Sequence, residues 1–140
     1  MVVPAKRLAD SLWEEDKITS TVVNCRVIKP LDERMLSELL SKFNKVVTLE
    51  ENVLNGGFGS AILEFIESQR WEKNSVCRLG IPDRFVTHGD RKSLLKEVGL
   101  DDESIQRKVE NFLGLTVDKK KLIFKRAEPV KEPARVPAQK

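Results

Sequence analysis

The alternation of short β-branched runs with helical patterns constrains the fold more than any other feature. Ser20 to Ile28, Lys45 to Leu49 and Ser75 to Ile81 are rich in Val, Ile and Leu, a composition typical of buried strands. Residues with helical spacing fill the two intervals between them, one beginning after Asp32 and one running from about Phe58 to Trp71. Connections of this length are too long for hairpins and predict parallel strands joined by right-handed crossovers. We therefore expect an α/β fold, a three-layer α/β/α sandwich with a mostly parallel sheet.

Capping residues predict three more helices around this sheet. Pro4 to Glu15 places a proline in a first helical turn, where its missing N–H costs nothing. Asp90 precedes a helix that ends at Gly99, and Asp101 or Asp102 begins a further helix that Gly114 closes. We expect these helices to pack against the flanks of the sheet.

Charge divides the chain into two regions. Residues 116–140 contain eight basic and three acidic residues and a proline at every fourth position from Pro129 to Pro137. This composition predicts one domain over residues 1–115, followed by a basic, proline-containing tail over 116–140 that is largely disordered. Nucleic acid is not an expected partner, because no series of aromatic residues for base stacking accompanies the basic ones.

Other function classes find little support in the composition. No apolar run approaches the roughly 20 residues that span a bilayer, and no signal peptide is visible, so we expect a cytoplasmic protein with no membrane partner. Cys25 and Cys77 lie in apolar runs without metal-site spacing and are expected to be buried free thiols. His88 is the single histidine, and nothing in the sequence places it beside a cysteine.

A glycine cluster at a strand-to-helix turn is the first candidate site. Gly56, Gly57 and Gly59 follow the second predicted strand and open the next helix. Free N–H groups at a helix N-terminus favour anions, which suggests a phosphate site. The dinucleotide fingerprint is incomplete, however, because Ile62 occupies the position of its third glycine. Close packing against a neighbouring backbone is the favoured interpretation.

Charged residues near the predicted strand ends form the remaining candidates. Glu50 and Glu51 suggest a metal or acid–base pair, but consecutive residues of a strand point in opposite directions, which favours an interface role. Arg26 and Lys29 precede Pro30 and suggest either a phosphate contact or a simple strand end. Asp83, Arg84 and His88 share a long loop of the kind that often carries function.

Four motifs, read together, resemble one enzyme family in order and spacing. They are the stretches RVIKPLD from Arg26, TLEENVLNGGFGSA from Thr48, LGIPDRFVTHG from Leu79 and VGLD from Val98. This set is similar to the C-terminal domain of the 1-deoxy-D-xylulose-5-phosphate synthase family, over about residues 1–114. The resemblance implies a fold like the transketolase C-terminal domain. It also implies a strand and a glycine turn before the first helix, so the first strand of the sheet is expected to be missing here.

The resemblance further implies an activity for the whole enzyme. Members are homodimeric transferases that use thiamine diphosphate and magnesium to condense pyruvate with glyceraldehyde 3-phosphate in non-mevalonate isoprenoid synthesis. Their cofactor, metal and catalytic residues belong to two other domains, so this chain is expected to hold none and to be inactive alone. Its expected partners are those thiamine-binding domains. Their interdomain or dimer interface is expected to involve Arg26, Lys29, Glu50, Glu51, Asn52, Gly56, Gly57, Gly59, Asp83, Arg84 and His88.

Two alternatives remain open at this point. The chain is compatible with a separate subunit of a split thiamine-dependent enzyme, which would complete its active site with another polypeptide. It is also compatible with a non-catalytic binding module that uses the basic tail.

Overall fold

The computed structural model describes residues 1–115, and predictions about residues 116–140 lie outside that range. The described chain contains five helices and two strands. In order they are α1 (Val2–Asp16), α2 (Glu33–Lys42), β1 (Lys45–Val53), α3 (Phe58–Ser68), β2 (Ser75–Ile81), α4 (Arg91–Glu97) and α5 (Asp102–Leu113).

The two strands are parallel, as the sequence predicts. Their register runs from Lys45 opposite Ser75 to Leu49 opposite Leu79 and shifts before Val53 meets Ile81. Helix α3 makes the crossover, and its buried Ile62, Phe65 and Ile66 lie against the sheet. The second of the two predicted β–α–β units is therefore confirmed, and the first is not.

Helices cover both faces of this sheet, which gives the predicted three layers. On one face a first cluster joins α1, β2 and α5 through its fully packed members Leu12, Leu79, Leu100, Ile105 and Val109. On the other face a second cluster joins α2 to α3 through Leu36, Leu40, Ile62, Phe65 and Ile66. Alternate residues of β2 enter opposite clusters because successive strand side chains point to opposite faces.

The predicted strand over Ser20 to Ile28 is wrong for this structure, because these residues form neither strand nor helix. Their β-branched side chains remain in solvent, with Val27 at 66% and Ile28 at 52% exposure. A strand requires a neighbour for its backbone N–H and C=O groups, and the described residues pair β1 only with β2. The composition is that of a buried strand, but within residues 1–115 this segment pairs with neither β1 nor β2.

The predicted helix ends are largely confirmed. The side chains of Asp32, Asp90 and Asp101 each accept a backbone N–H in the first turn of α2, α4 and α5. Asp101, rather than Asp102, is the cap of α5. Gly114 adopts φ 79° at the other end of α5, a left-handed conformation that glycine accepts most readily. Within residues 1–115 no helix has the length and apolar character needed to cross a membrane.

Candidate functional site

Strand β1 is longer than predicted and carries both glutamates within it. The prediction ended the strand at Leu49, whereas pairing continues through an irregular stretch to Val53. Glu50 is 8% exposed and faces the α3 side of the sheet, while Glu51 is exposed. Only one glutamate of the pair therefore points into the protein, as the alternation of strand side chains requires.

The carboxylate of Glu50 caps helix α3. One oxygen accepts the backbone N–H of Phe58 at 2.8 Å and the other accepts the N–H of Gly59 at 2.9 Å. Gly57 occupies the N-cap position and has no side chain to do this. A negative charge at a helix N-terminus is also favoured by the helix dipole. The donors that suggested a phosphate site are thus already bound to a side chain of the same chain.

This turn requires glycine because neighbouring atoms of the same chain leave no space for a Cβ atom at Gly57 or Gly59. A Cβ atom on Gly57 would overlap the carbonyl oxygen of Val53 and lie 2.5 Å from a carboxylate oxygen of Glu50. A Cβ atom on Gly59 would lie 2.6 Å from the hydroxyl of Thr48. Both positions are buried, so their small size lets α3 approach β1 closely. An additional role of these glycines at an interface stays a prediction.

A hydrogen-bond network around Arg78 fixes the loop between β1 and α3. Its guanidinium donates to the carbonyl of Leu54 at 3.1 Å and to the hydroxyl of Ser60 at 2.9 Å. The Ser60 hydroxyl donates to the same carbonyl at 2.7 Å and accepts the N–H of Gly56 at 3.1 Å. Residues 54–60 are therefore tied to β2 by side chains.

Sequence reasoning missed two residues that shape this loop. Arg78 is a charged residue in an otherwise apolar strand, which was the available signal for it. Gly80 lies inside the same strand, and glycine within a strand often marks a close backbone approach. A Cβ atom there would lie 2.9 Å from the carbonyl oxygen of Asn52 and 3.0 Å from Glu50.

The loop after β2 lies beside the loop after β1. The side-chain amide of Asn55 donates to Asp83 at 3.3 Å, and Arg91 at the start of α4 forms an ion pair with Glu51. These two contacts bring the predicted Glu51 and Asp83 to one edge of the sheet, where both strands end. We call this surface the carboxyl-edge surface, formed by residues 51–56 and 82–91.

The remaining predicted site residues lie in two separate places. The side chain of Asn52 accepts the N–H of Val53, and Arg84 lies 3.8 Å from a carboxylate oxygen of Glu97. His88 is exposed in the same loop. These residues share the carboxyl-edge surface, whereas Arg26 and Lys29 belong to the exposed stretch before α2.

Arg26 lines a separate groove. This groove has a volume of about 200 Å³, and its walls include Asp32, Met35, Leu36 and Phe58. Within residues 1–115 no hydrogen bond or ion pair links Arg26 or Lys29 to the carboxyl-edge surface. Phe58, in one wall of the groove, donates its backbone N–H to Glu50.

Both cysteines are free thiols, as predicted, but each is partly rather than fully buried. Burial raises the pKa of the Cys25 thiol, and the nearby carboxylate of Asp32 raises it further. Burial likewise raises the pKa of Cys77. A raised pKa keeps a thiol protonated and poorly nucleophilic, which fits a packing role. Across residues 1–115 no three His, Cys, Asp or Glu side chains cluster in a way that could hold a metal ion.

Comparison with known proteins finds relatives that are named 1-deoxy-D-xylulose-5-phosphate synthase. The chain is 43% identical over 109 residues to the 1-deoxy-D-xylulose-5-phosphate synthase of Cytophaga hutchinsonii, which is 78% of this chain and 17% of that enzyme. It is 42% identical over 112 residues to the enzyme of the same name from Aquifex aeolicus, covering 80% of this chain and 18% of the relative. The chain therefore spans less than one fifth of the length of these curated relatives.

A solved structure shares the fold. The protein titled "Split gene transketolase, inactive beta4 tetramer" superimposes with a TM-score of 0.71 at 30% sequence identity, over 81% of this chain and 36% of that one. The family described as "Transketolase, C-terminal domain" matches residues 1–105. These matches agree with the motifs, the parallel β–α–β unit and the three layers. The chain belongs to the transketolase C-terminal domain family.

Proposed function

We propose that this chain is the C-terminal domain of a 1-deoxy-D-xylulose-5-phosphate synthase and that its role there is architectural. The observation that carries the proposal is the match to synthases over the motif-bearing region, combined with a candidate site whose Glu50 binds backbone N–H groups and whose Glu51 pairs with Arg91. The full enzyme condenses pyruvate with glyceraldehyde 3-phosphate in isoprenoid synthesis. In that enzyme the carboxyl-edge surface would pack against the thiamine-binding domains.

Residues 1–115 do not fit the cofactor of such an enzyme. A diphosphate needs free donors or a bound magnesium ion, and the leading N–H groups of α3 already bind Glu50. The clusters of acidic and histidine side chains that hold metal ions do not occur among residues 1–115. We therefore assign thiamine diphosphate and magnesium to the other domains of the enzyme and expect the isolated chain to bind neither.

Complementation tests the proposal. The 140-residue chain would be mixed with the Cytophaga hutchinsonii synthase truncated before its matching region, and deoxyxylulose phosphate formation would be assayed with pyruvate, glyceraldehyde 3-phosphate, thiamine diphosphate and magnesium. We expect each component alone to be inactive and the mixture to be active. The lack of any association between the two components would refute the proposal. Turnover by the 140-residue chain alone would refute its architectural role.

A second candidate is a subunit of an enzyme divided between two polypeptides. It is favoured by one observation, the structural likeness to a protein whose title describes a split-gene transketolase. Co-purification from the native host separates the two candidates. A distinct polypeptide with thiamine-binding motifs, bound in a fixed ratio, would favour the split enzyme. We further propose a homodimeric assembly and a cytoplasmic location for the complete enzyme, on the basis of the sequence and its resemblance alone.

A further inference from the structure

Phe85 is the most exposed large apolar side chain of the described residues. Its exposure is 104% of the reference value. The next most exposed large apolar side chain is Val27 at 66%, and the other exposed aromatic side chain, Trp13, is at 54%. A phenylalanine in water forgoes the favourable burial of roughly 150 to 250 Å² of surface. Phe85 is therefore the side chain among residues 1–115 that has most to gain from a contact with another molecule or domain.

The loop that carries Phe85 is held on both sides. Before it, the N–H of Arg84 donates to the carbonyl of Pro82 at 2.8 Å, and the Arg84 guanidinium pairs with Glu97 of α4. After it, the hydroxyl of Thr87 donates to the Glu97 carboxylate at 3.1 Å. Arg84 and Thr87, on either side of Phe85, therefore both bind Glu97 and hold the intervening backbone in place. Presenting a contact residue in a fixed position lowers the entropy lost on binding.

The surroundings of Phe85 extend the contact surface. The Asn55 amide bridges to Asp83 at 3.3 Å and joins the loop after β1 to the loop of Phe85. Val53, the last residue of β1, is also exposed, at 36%. Charged side chains of the same surface form two ion pairs, one between Glu51 and Arg91 and one between Arg84 and Glu97. An aromatic anchor inside a rim of paired charges is the usual anatomy of an interface core.

We propose that Phe85 is the anchor by which this domain binds the thiamine-binding portion of its own enzyme, and that it inserts into an apolar pocket there. This inference rests on the function proposed above and names the residue that carries the contact. The choice of partner follows from the length of the relatives, because more than four fifths of each relative lies outside the region that matches this chain. The carboxyl-edge surface, which we propose packs against that remainder, carries the one fully exposed aromatic side chain among residues 1–115.

Three forms of the 140-residue chain test the anchor: the wild type, Phe85→Ala, and Trp13→Ala as a matched control on α1. Calorimetry would measure the Kd of each for the truncated Cytophaga hutchinsonii synthase. We expect Phe85→Ala to weaken binding at least 30-fold, as hot-spot aromatics do, and Trp13→Ala to change it less than threefold. A Phe85→Leu variant, which keeps an apolar side chain, should recover part of the affinity. Thermal unfolding of the Phe85→Ala chain should match the wild type, because the side chain has no contacts within the domain to lose.

The outcomes separate the two proposals. If the wild type binds and Phe85→Ala binds within threefold of it, the anchor is wrong and the proposed function stands. If Phe85→Ala changes only self-association of the chain, measured by analytical ultracentrifugation, the partner is a second copy and the anchor is again wrong. If the wild type does not bind at all, both proposals fail.

Discussion

Glu50 and Gly59 are joined by a 2.9 Å hydrogen bond in which a carboxylate of strand β1 accepts a backbone N–H from the first turn of helix α3. The strand therefore caps the helix that follows it, across a glycine turn that leaves no room for another side chain. The arrangement makes the turn a rigid structural unit and uses donors that a ligand would otherwise bind.

Replacement of Glu50 tests this capping role. We expect Glu50→Ala to lower the free energy of unfolding by about 2 kcal/mol, because two buried N–H groups lose a charged acceptor. The control is Glu51→Ala, the same change at the next residue, which removes only an exposed ion pair and should cost less than about 1 kcal/mol. Urea denaturation followed by circular dichroism measures both. Equal losses in the two variants would contradict the capping role.

Gly57 tests the packing of the turn. We expect Gly57→Ala to destabilise the chain by about 1 to 3 kcal/mol, because the added methyl group would overlap the Val53 carbonyl. Gly89→Ala is the matched control, since its methyl group would come no closer than 3.4 Å to Leu94 and should change stability by less than about 0.5 kcal/mol. Calorimetric melting of both variants provides the measurement. A Gly57→Ala chain as stable as Gly89→Ala would show that the turn relaxes to admit a side chain.

Arg78 tests the tethering of the loop. Arg78→Met keeps the length of the side chain but removes the donors to Leu54 and Ser60. We expect amide exchange at Gly56 to accelerate about tenfold, which corresponds to the loss of roughly 1.4 kcal/mol of local stability. Arg107→Met, an exposed change on α5, should leave that amide unaffected. Unchanged exchange at Gly56 in Arg78→Met would mean that Ser60 alone holds the loop.

The sequence predicted the elements that depend on local chemistry. Asp32, Asp90 and Asp101 are short acceptors placed before helical patterns, and each acts as a cap. The crossover helix and its parallel strands followed from spacing in the same way. These features depend on residues close together in the chain, so a single sequence contains their signal.

The failures involve partners that are distant in the chain or lie outside it. Ser20 to Ile28 has strand composition, but a strand exists only where another strand pairs with it. The glycine turn is predicted to pack closely against a neighbouring backbone; Gly57 does lie against the Val53 carbonyl, but the sequence did not indicate that the Glu50 carboxylate lies there too. Arg78 reaches across 18 residues to Ser60, and no spacing rule indicates such a contact.

Asp101 tests the link between capping and pH. Its carboxylate accepts the N–H of Ser104 at 3.2 Å. Partial burial pushes the pKa of Asp101 upward, but hydrogen bonds from Ser104 outweigh this effect and the pKa falls below its ordinary 3.8. A lowered folded-state pKa stabilises the fold above the unfolded-state value and loses that contribution as the pH falls.

We therefore expect Asp101→Ala to lower stability by about 1 kcal/mol at neutral pH, the usual cost of a lost cap. The difference from the wild type should shrink as the pH falls from about 4, because protonation removes the charge of Asp101 in the wild type. Asp101→Asn, which keeps a neutral acceptor, should lose less and show a weaker dependence on pH. Urea titrations at several pH values between 2.5 and 7 provide the measurement. A constant difference over that range would contradict the argument.

Met1 and Leu115 both pack against the first cluster, and an ion pair of 2.8 Å between Arg7 and Asp102 holds α1 beside α5. The two ends of the described chain therefore lie on the same face of the sheet. A domain with adjacent ends tolerates a change in the order of its segments, because a short linker closes the ends without disturbing the core. New ends opened within residues 19–29, which are largely exposed and belong to no helix or strand, would give a circular permutant with the same layers and α1 at its C-terminus.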